Sequence, residues 1–268
     1  VERHSDVTIK FGTDGWRGII AGEFNFDNVS LCAQGISDYI ANMNLSNPMV
    51  LVGYDTRSNS FDYSQLVAEI FTRFNLSTLV SSEPVPTPAL SYNILSKSAV
   101  GGVVITASHN PPDWNGFKYK PHYGGSASPS IIAEIESTIF ALENLKVDTH
   151  YEVNKINADS FEYFSPKKDY CSHIETIVDL NAIKRSGINV VVDCMYGAGQ
   201  NYLPEFLVDS AGKTDSIRST IDPRFPGLLQ PEPISENLGP LSEAVIKHQY
   251  DVGLAYDGDA DRLGIIDE

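Results

Sequence analysis

The chain has 268 residues, 42% of them hydrophobic and 20% charged, with 20 Gly and 15 Pro. At ~100–200 residues per domain this suggests two domains, and the composition excludes disorder, collagen and coiled coil. Nineteen Lys and Arg stand against 35 Asp and Glu, a net charge of −16, which excludes a nucleic-acid partner because phosphate-backbone binding needs a basic surface.

No apolar run reaches the ~18–20 residues that cross a bilayer, so no membrane span is expected. The N-terminal run VERHSDVTIKFGTDG holds no apolar signal-peptide core. Cys32, Cys171 and Cys194 are widely spaced, odd in number and form no CxxC. They fit reduced thiols better than a disulfide framework, and a cytoplasmic location is expected.

Short Val- and Ile-rich runs alternate with stretches of helical period. In chain order, Leu31, Ile36 and Ile40 mark a helix, and 50–54 reads as a strand. Leu66, Ile70, Phe71 and Phe74 mark a second helix, followed by strands at 77–80 and 100–106. Ile131, Ile132, Ile135, Ile139 and Leu142 mark a third helix. A polar stretch over 146–165 then interrupts the pattern, and a domain boundary is placed near residue 155, dividing the chain into 1–155 and 156–268. The alternation resumes with a helix near 170–180 and strands at 188–193, 215–219 and 251–256. Such order implies right-handed βαβ units and mainly parallel sheets covered on both faces, the α/β class. After 256 a fresh apolar run, Leu263–Ile266, begins, and the exposed face there is expected to be apolar.

Two segments carry the chemistry. In Val103-Val-Ile-Thr-Ala-Ser-His-Asn-Pro-Pro112 an apolar strand runs into a turn. That puts the Ser108 hydroxyl at the carboxyl end of a parallel strand, where open α/β sheets bind ligands. Ser108 can act there as a nucleophile, with His109 adjacent and Lys118 supplying positive charge. The competing reading is a turn-starting Ser beside a solvated His.

The other segment is Asp257-Gly-Asp-Ala-Asp-Arg262, in which carboxylates repeat at i, i+2 and i+4. Like charges at that spacing repel by up to ~4 kcal/mol per close pair at an effective dielectric of ~20, and a divalent cation removes that cost. Same-face strand residues stand ~6.6–7 Å apart, whereas Mg²⁺ takes oxygens at ~2.1 Å. The segment must therefore curl into a loop, which Gly258 and Ala260 permit; otherwise it is a solvated acidic turn. An EF-hand is rejected, because its sixth position needs Gly and this chain has Arg262 there.

Three weaker signals accompany these. Phe11-Gly-Thr-Asp-Gly-Trp-Arg17-Gly18 reads as a tight loop bringing backbone and guanidinium to an anion. Gly53-Tyr-Asp-Thr-Arg57-Ser-Asn-Ser60 ends a strand and opens a helix, with Ser58 or Asn59 as N-cap. Gly197-Ala-Gly199 opens another helix whose N–H groups can meet an anion.

Taken together, FGTDGWRG at 11–18, GYDTRSNS at 53–60, TASHNPPDWNGFK at 106–118, QPEPISENL at 230–238 and DGDADR at 257–262 resemble the α-D-phosphohexomutase family. The resemblance implies two successive three-layer α/β/α domains with mainly parallel mixed sheets, corresponding to the family's first two domains. Its third and fourth domains, which read the sugar and grip the non-transferring phosphate, are expected to be absent.

It also implies that Ser108 is the phosphorylated serine and that Asp257, Asp259 and Asp261 hold Mg²⁺ together with the Ser108 oxygen. Arg17, His109, Lys118 and Arg262 match positions lining the transfer site: Arg17, His109 and Lys118 as catalytic groups, and Arg17, Lys118 and Arg262 as phosphate-binding ones. Lys118 or His109 would handle the proton.

The implied activity is interconversion of hexose 1- and 6-phosphates through a hexose bisphosphate, with glucose, mannose or glucosamine phosphate as substrate. FGTDGWRG inclines the choice to glucose or mannose, and phosphoglucosamine mutase is the alternative. A chain of two such domains is expected to be folded but catalytically incompetent. Two rivals are an aspartyl-phosphate transferase with Asp257 as nucleophile and a non-catalytic metal- and phosphate-binding module.

Overall fold

A computed structural model describes residues 9–12, 15–145, 157–200, 202–209 and 211–267. The strands expected at 50–54, 77–80 and 100–106 form as β2 (Met49–Tyr54), β3 (Ser77–Ser81) and β4 (Gly101–Ile105). β2 pairs in parallel with both β3 and β4. Two strands join them on one side: β1 (Trp16–Ile19), and β5 (Trp114–Pro121) antiparallel to β4. The full order is β1-β5-β4-β2-β3-β6, with β6 at Glu162–Phe164. The expected boundary at 155 lies outside the described residues, but β6, on its far side, is a strand of the first sheet and pairs with β3.

Alternation along the strands divides the first core into two. Val50, Val52, Val103 and Ile105 face α1 (Phe26–Ala41), α2 (Ser60–Arg73) and α4 (Pro129–Asn144). Leu51 and Val104 face the other way, against Ala89, Leu90 and Ile94 of α3 (Thr87–Ser96), with Tyr170 and Cys171 of α5 (Lys167–Ile177) packed behind. Burying each large apolar side chain contributes ~1.5–3 kcal/mol, and helices on both faces make three layers. α1 begins where the Asn25 side chain accepts a hydrogen bond from the Asn28 N–H.

The second sheet has the order β10-β9-β7-β8, from β7 (Asn189–Asp193), β8 (Lys213–Ile217), β9 (Val252–Tyr256) and β10 (Leu263–Ile266). The strand expected at 215–219 thus lies two residues earlier, at 213–217, and ends before Arg218, whose backbone is left-handed (φ 47). Val191 and Ala255 pack on α8 (Gly239–His248). Val190 and Val192 pack on the opposite side with Ile183 of α6 (Leu180–Ser186) and Leu203 and Leu207 of α7 (Leu203–Leu207). β10 runs antiparallel at the edge, with Leu263 and Ile265 exposed. The architecture is two α/β/α domains. No helix among the described residues is long and apolar enough to cross a membrane.

The carboxyl ends of β4 and β9 face one another. Backbone bonds cross between the domains there, from the Thr87 N–H to the Asp259 carbonyl (2.9 Å). At Gly258 a Cβ would stand 2.4 Å from the Ser108 carbonyl oxygen, so only glycine permits this approach.

Candidate active site

Ser108 follows β4 with a left-handed backbone, φ 54, a conformation that costs a non-glycine residue energy unless its surroundings hold it. Its N–H donates to Thr106 Oγ1 (2.9 Å), and its carbonyl accepts from Arg57 Nη2 (2.7 Å). The hydroxyl is buried and donates to Asp257 Oδ2 across the domain junction at 3.0 Å. Its other neighbour is His109 Nδ1, at 3.4 Å. Arg262 Nη2 lies against that same nitrogen. A guanidinium can only donate, so Nδ1 accepts and the His109 proton sits on Nε2. Burial lowers the His109 pKa, and the Arg262 charge lowers it further.

The three carboxylates lie on the 257–262 loop between β9 and β10, closed over a left-handed Ala260 (φ 55). Their oxygens come within 4.8 Å of one another, the loop form that the spacing required. Asp257 is buried, and its Oδ1 accepts from the N–H groups of Asp261 (3.0 Å) and Arg262 (3.1 Å). Asp259 is fully buried, and its Oδ2 accepts from Thr87 Oγ1 (2.6 Å) and Lys118 Nζ (2.9 Å). Asp259 Oδ1, equally buried, has no hydrogen-bond partner among the described residues.

Burial, then the charges of Asp259 and Asp261, push the Asp257 carboxyl up to about 8. Burial would raise Asp259 as well, but the Lys118 charge and the Thr87 and Lys118 hydrogen bonds hold it below the ordinary carboxylate range. An oxygen-only donor set with one orphaned buried oxygen and one carboxyl pushed towards protonation fits a hard divalent cation.

Lys118 is delivered by β5, opposite Val104, with its ammonium buried; it also reaches Asp261 Oδ2 at 3.8 Å. Arg17 departs from expectation. It belongs to β1, paired with Gly116, rather than to a tight loop, because 16–19 extends the sheet beyond β5. Its Nη1 donates to Asn110 Oδ1 (2.6 Å), two residues beyond Ser108. Arg262, partly exposed, donates to Glu232 Oε1 (2.6 Å) and lies 3.8 Å from Asp257 Oδ2. The structure thus brings Ser108, His109, Lys118, Asp257, Asp259, Asp261 and Arg262 together around one junction, with Arg17 joined through Asn110.

Two weaker readings change. Asn59 does stand before α2, but its side chain caps nothing, since its left-handed backbone (φ 60) turns away from the cap geometry. Asp55 Oδ1 instead takes the Ser60 hydroxyl (2.7 Å) and the Arg57 N–H (2.9 Å). At 197–199 the N–H groups of Gly197 and Ala198 are spent on the carbonyls of Cys194 and Gly258, so they are not open to an anion. That turn instead braces the back of the carboxylate loop, and the nearest helix, α7, starts only at Leu203.

The sequence assigns no site role to Thr87, nor to Arg57, although Arg57 lies within the GYDTRSNS run. Arg57 is buried and donates to the carbonyls of Ser108, Asn110 (2.5 Å), Pro111 (2.6 Å) and Trp114 (3.0 Å). Its position in a GYDTR run shows only a charge after a strand. Thr87 opens α3 after a proline, a helix-start signal that says nothing of a carboxylate 172 residues away.

These features define a class: paired α/β/α domains whose strand ends bring a buried serine hydroxyl, a buried lysine and a three-carboxylate loop to one junction. Residues 8–146 match the family described as phosphoglucomutase/phosphomannomutase, alpha/beta/alpha domain I, and residues 168–268 match its alpha/beta/alpha domain II. The chain belongs to the phosphoglucomutase/phosphomannomutase family, the α-D-phosphohexomutases, and corresponds to its N-terminal portion.

It is 33% identical over 261 residues to a protein named phosphoglucomutase/phosphomannomutase from Thermococcus kodakarensis, covering 96% of this chain and 55% of that protein. It is 29% identical over 263 residues to a phosphoglucosamine mutase from Caldanaerobacter subterraneus, again covering 96% and 55%. A crystal structure named as a putative phosphomannomutase from Thermus thermophilus superposes with a TM-score of 0.85 at 31% identity, over 97% of this chain and 57% of that one. The chain therefore spans about half the length of the curated relatives it matches.

Proposed function

We propose that this chain supplies the phosphoserine and metal half of a phosphohexomutase site. The observation that carries the proposal is the Ser108 hydroxyl, buried and 3.0 Å from Asp257 Oδ2 on the other domain. A hydroxyl at the end of a parallel strand, hydrogen-bonded to an acidic loop, supports reading Ser108 as a phosphoryl carrier whose charge the loop's cation and Lys118 would balance.

In the proposed reaction the hydroxyl of a hexose phosphate attacks the phosphorus of phospho-Ser108. The new sugar O–P bond forms as the Ser108 O–P bond breaks, giving a hexose bisphosphate. Lys118 or His109 gives a proton to the departing Ser108 Oγ and takes up the sugar hydroxyl's proton in its place. Reversal, with the bisphosphate turned round, yields the isomer and restores phosphoserine.

Asp257, Asp259, Asp261 and the Ser108 oxygen would hold Mg²⁺, which acts as a Lewis acid on the phosphoryl oxygens. Lys118, buried beside Asp259, offers the one fixed ammonium at the junction among the described residues, and it neutralises charge as it shifts. Arg17, reaching Asn110, and Arg262, 3.8 Å from Asp257 Oδ2, would bind the phosphate. His109, with its proton on Nε2, presents a donor away from Arg262.

The names of the relatives divide between glucosamine and glucose or mannose phosphates. The glucose/mannose reading is favoured here by the FGTDGWRG run, with phosphoglucosamine as the alternative. Incubation with a hexose 1,6-bisphosphate and Mg²⁺, followed by peptide mass spectrometry, tests the carrier. One phosphate, stable to hydroxylamine, is expected on the Ser108 peptide and is absent from Ser108→Ala. A hydroxylamine-labile phosphate on the 257–262 peptide would replace this reading with the aspartyl-phosphate one.

A further inference from the structure

α3 has an anomalous start. Its N-cap residue is Pro86, which makes no side-chain capping bond; Pro88 has no N–H, and the Ala89 and Leu90 N–H groups take the Pro86 carbonyl (2.9 and 3.1 Å), so the Thr87 N–H is the one in the first turn that needs an acceptor from outside the helix. The acceptor comes from the other domain: the Thr87 N–H donates to the Asp259 carbonyl (2.9 Å), and the Thr87 hydroxyl donates to Asp259 Oδ2 (2.6 Å). The carboxylate also stands at the positive end of a ten-residue helix.

With Lys118 Nζ at 2.9 Å on the same oxygen, Oδ2 is fully engaged, and Oδ1 is the buried oxygen left over. Two donors on one oxygen fix the rotation of the carboxylate about its Cβ–Cγ bond, and so fix where Oδ1 lies. Lys118 by itself cannot do this, because an ammonium is a point donor with no preferred plane.

We infer that Thr87 is a positioning residue for the cation site: the first domain's α3 N-terminus grips the second domain's Asp259, so that cation affinity depends on the docking of the two domains. This rests on reading 257–261 as a cation site. Thr87 does not touch the ion; it acts through Asp259, as outer hydrogen-bond partners of metal ligands do.

Isothermal titration of the chain with Mn²⁺ and with Mg²⁺ tests the inference, with far-UV circular dichroism confirming that each variant is folded. Thr87→Val keeps the shape and removes the hydroxyl, and should weaken binding ~10-fold, the lower end of what losing such a partner costs. Thr87→Ser, which keeps the donor, should bind within about twofold of the parent. Should the valine variant fail to fold, Thr87→Ala provides the same comparison.

A folded Val or Ala variant that loses thermal stability but binds both ions as the parent does would overturn the inference and leave Thr87 a structural cap. Equal weakening in the Ser variant would also overturn it, since the donor would then not matter. No binding of either ion to the parent would instead bring down the cation reading itself.

Discussion

Arg57→Met is the most demanding test of how the Ser108 turn is held. Arg57 is 3% exposed, and its guanidinium lies 3.2 Å from Asp55 Oδ2 and is bonded to four carbonyls of the 108–114 segment. Methionine fills much of the volume but strands a buried carboxylate and leaves four carbonyls without their donor. Breaking one side of a buried ion pair costs ~3–5 kcal/mol, and bonds to a charged donor contribute ~1.5–3 kcal/mol each without adding fully. A loss of at least ~3–5 kcal/mol is therefore expected.

Both tryptophans, Trp16 and Trp114, lie in the first sheet, so urea unfolding followed by their fluorescence reports the domain concerned. Arg57→Lys should recover only part of the loss, because an ammonium cannot fork to four carbonyls. Burial raises the Asp55 pKa against the opposing Arg57 charge, so removing Arg57 should raise it further. A carboxyl whose folded pKa exceeds its unfolded one loses stability as pH rises between the two. The variant should thus be penalised less at pH ~5 than at pH ~8, and Asp55→Asn in the same chain should restore part of the loss. A penalty under ~1 kcal/mol, independent of pH, would refute the reasoning.

Three further outcomes follow from the same geometry. Asp257, pushed up to about 8 against an ordinary 3.8, lowers metal-free stability as pH climbs through that window. A divalent ion must displace its proton, so the rise in melting temperature with Mg²⁺ should be larger at pH ~8.5 than at pH ~6; equal rises would count against a carboxyl shared with the ion. Gly258→Ala places a Cβ 2.4 Å from the Ser108 carbonyl and should part the loop from the serine, abolishing phosphorylation of Ser108 while each domain stays folded by circular dichroism. Burial raises the pKa of all three thiols, but Cys32 and Cys194 are buried whereas Cys171 is half-buried. A disulfide reagent should therefore modify Cys171 well before the other two in native protein, and equal rates would show that the two cores are open.

Residue patterning alone dictates the alternation of strands and helices, because parallel strands buried on both faces read as continuous apolar runs such as GGVVI and NVVVD. It also dictates the carboxylate loop, because three acids at that spacing are unstable in any flat strand. Two strands of mixed polarity in the first sheet, β5 and β1, escape it. β5 reads WNGFKYKP, and its two lysines hide a strand whose Lys118 is buried only because Asp259 waits opposite. β1 reads as a loop because its extended form comes from pairing with β5, not from its own residues.

Tertiary structure also decided the partners of Asp259 and Ser108, 172 and 51 residues away in the chain. Local propensity carries no signal about such contacts. A threonine at a helix start and an arginine after a strand look ordinary until two domains close over them, and it is burial that turns each hydrogen bond into an obligation.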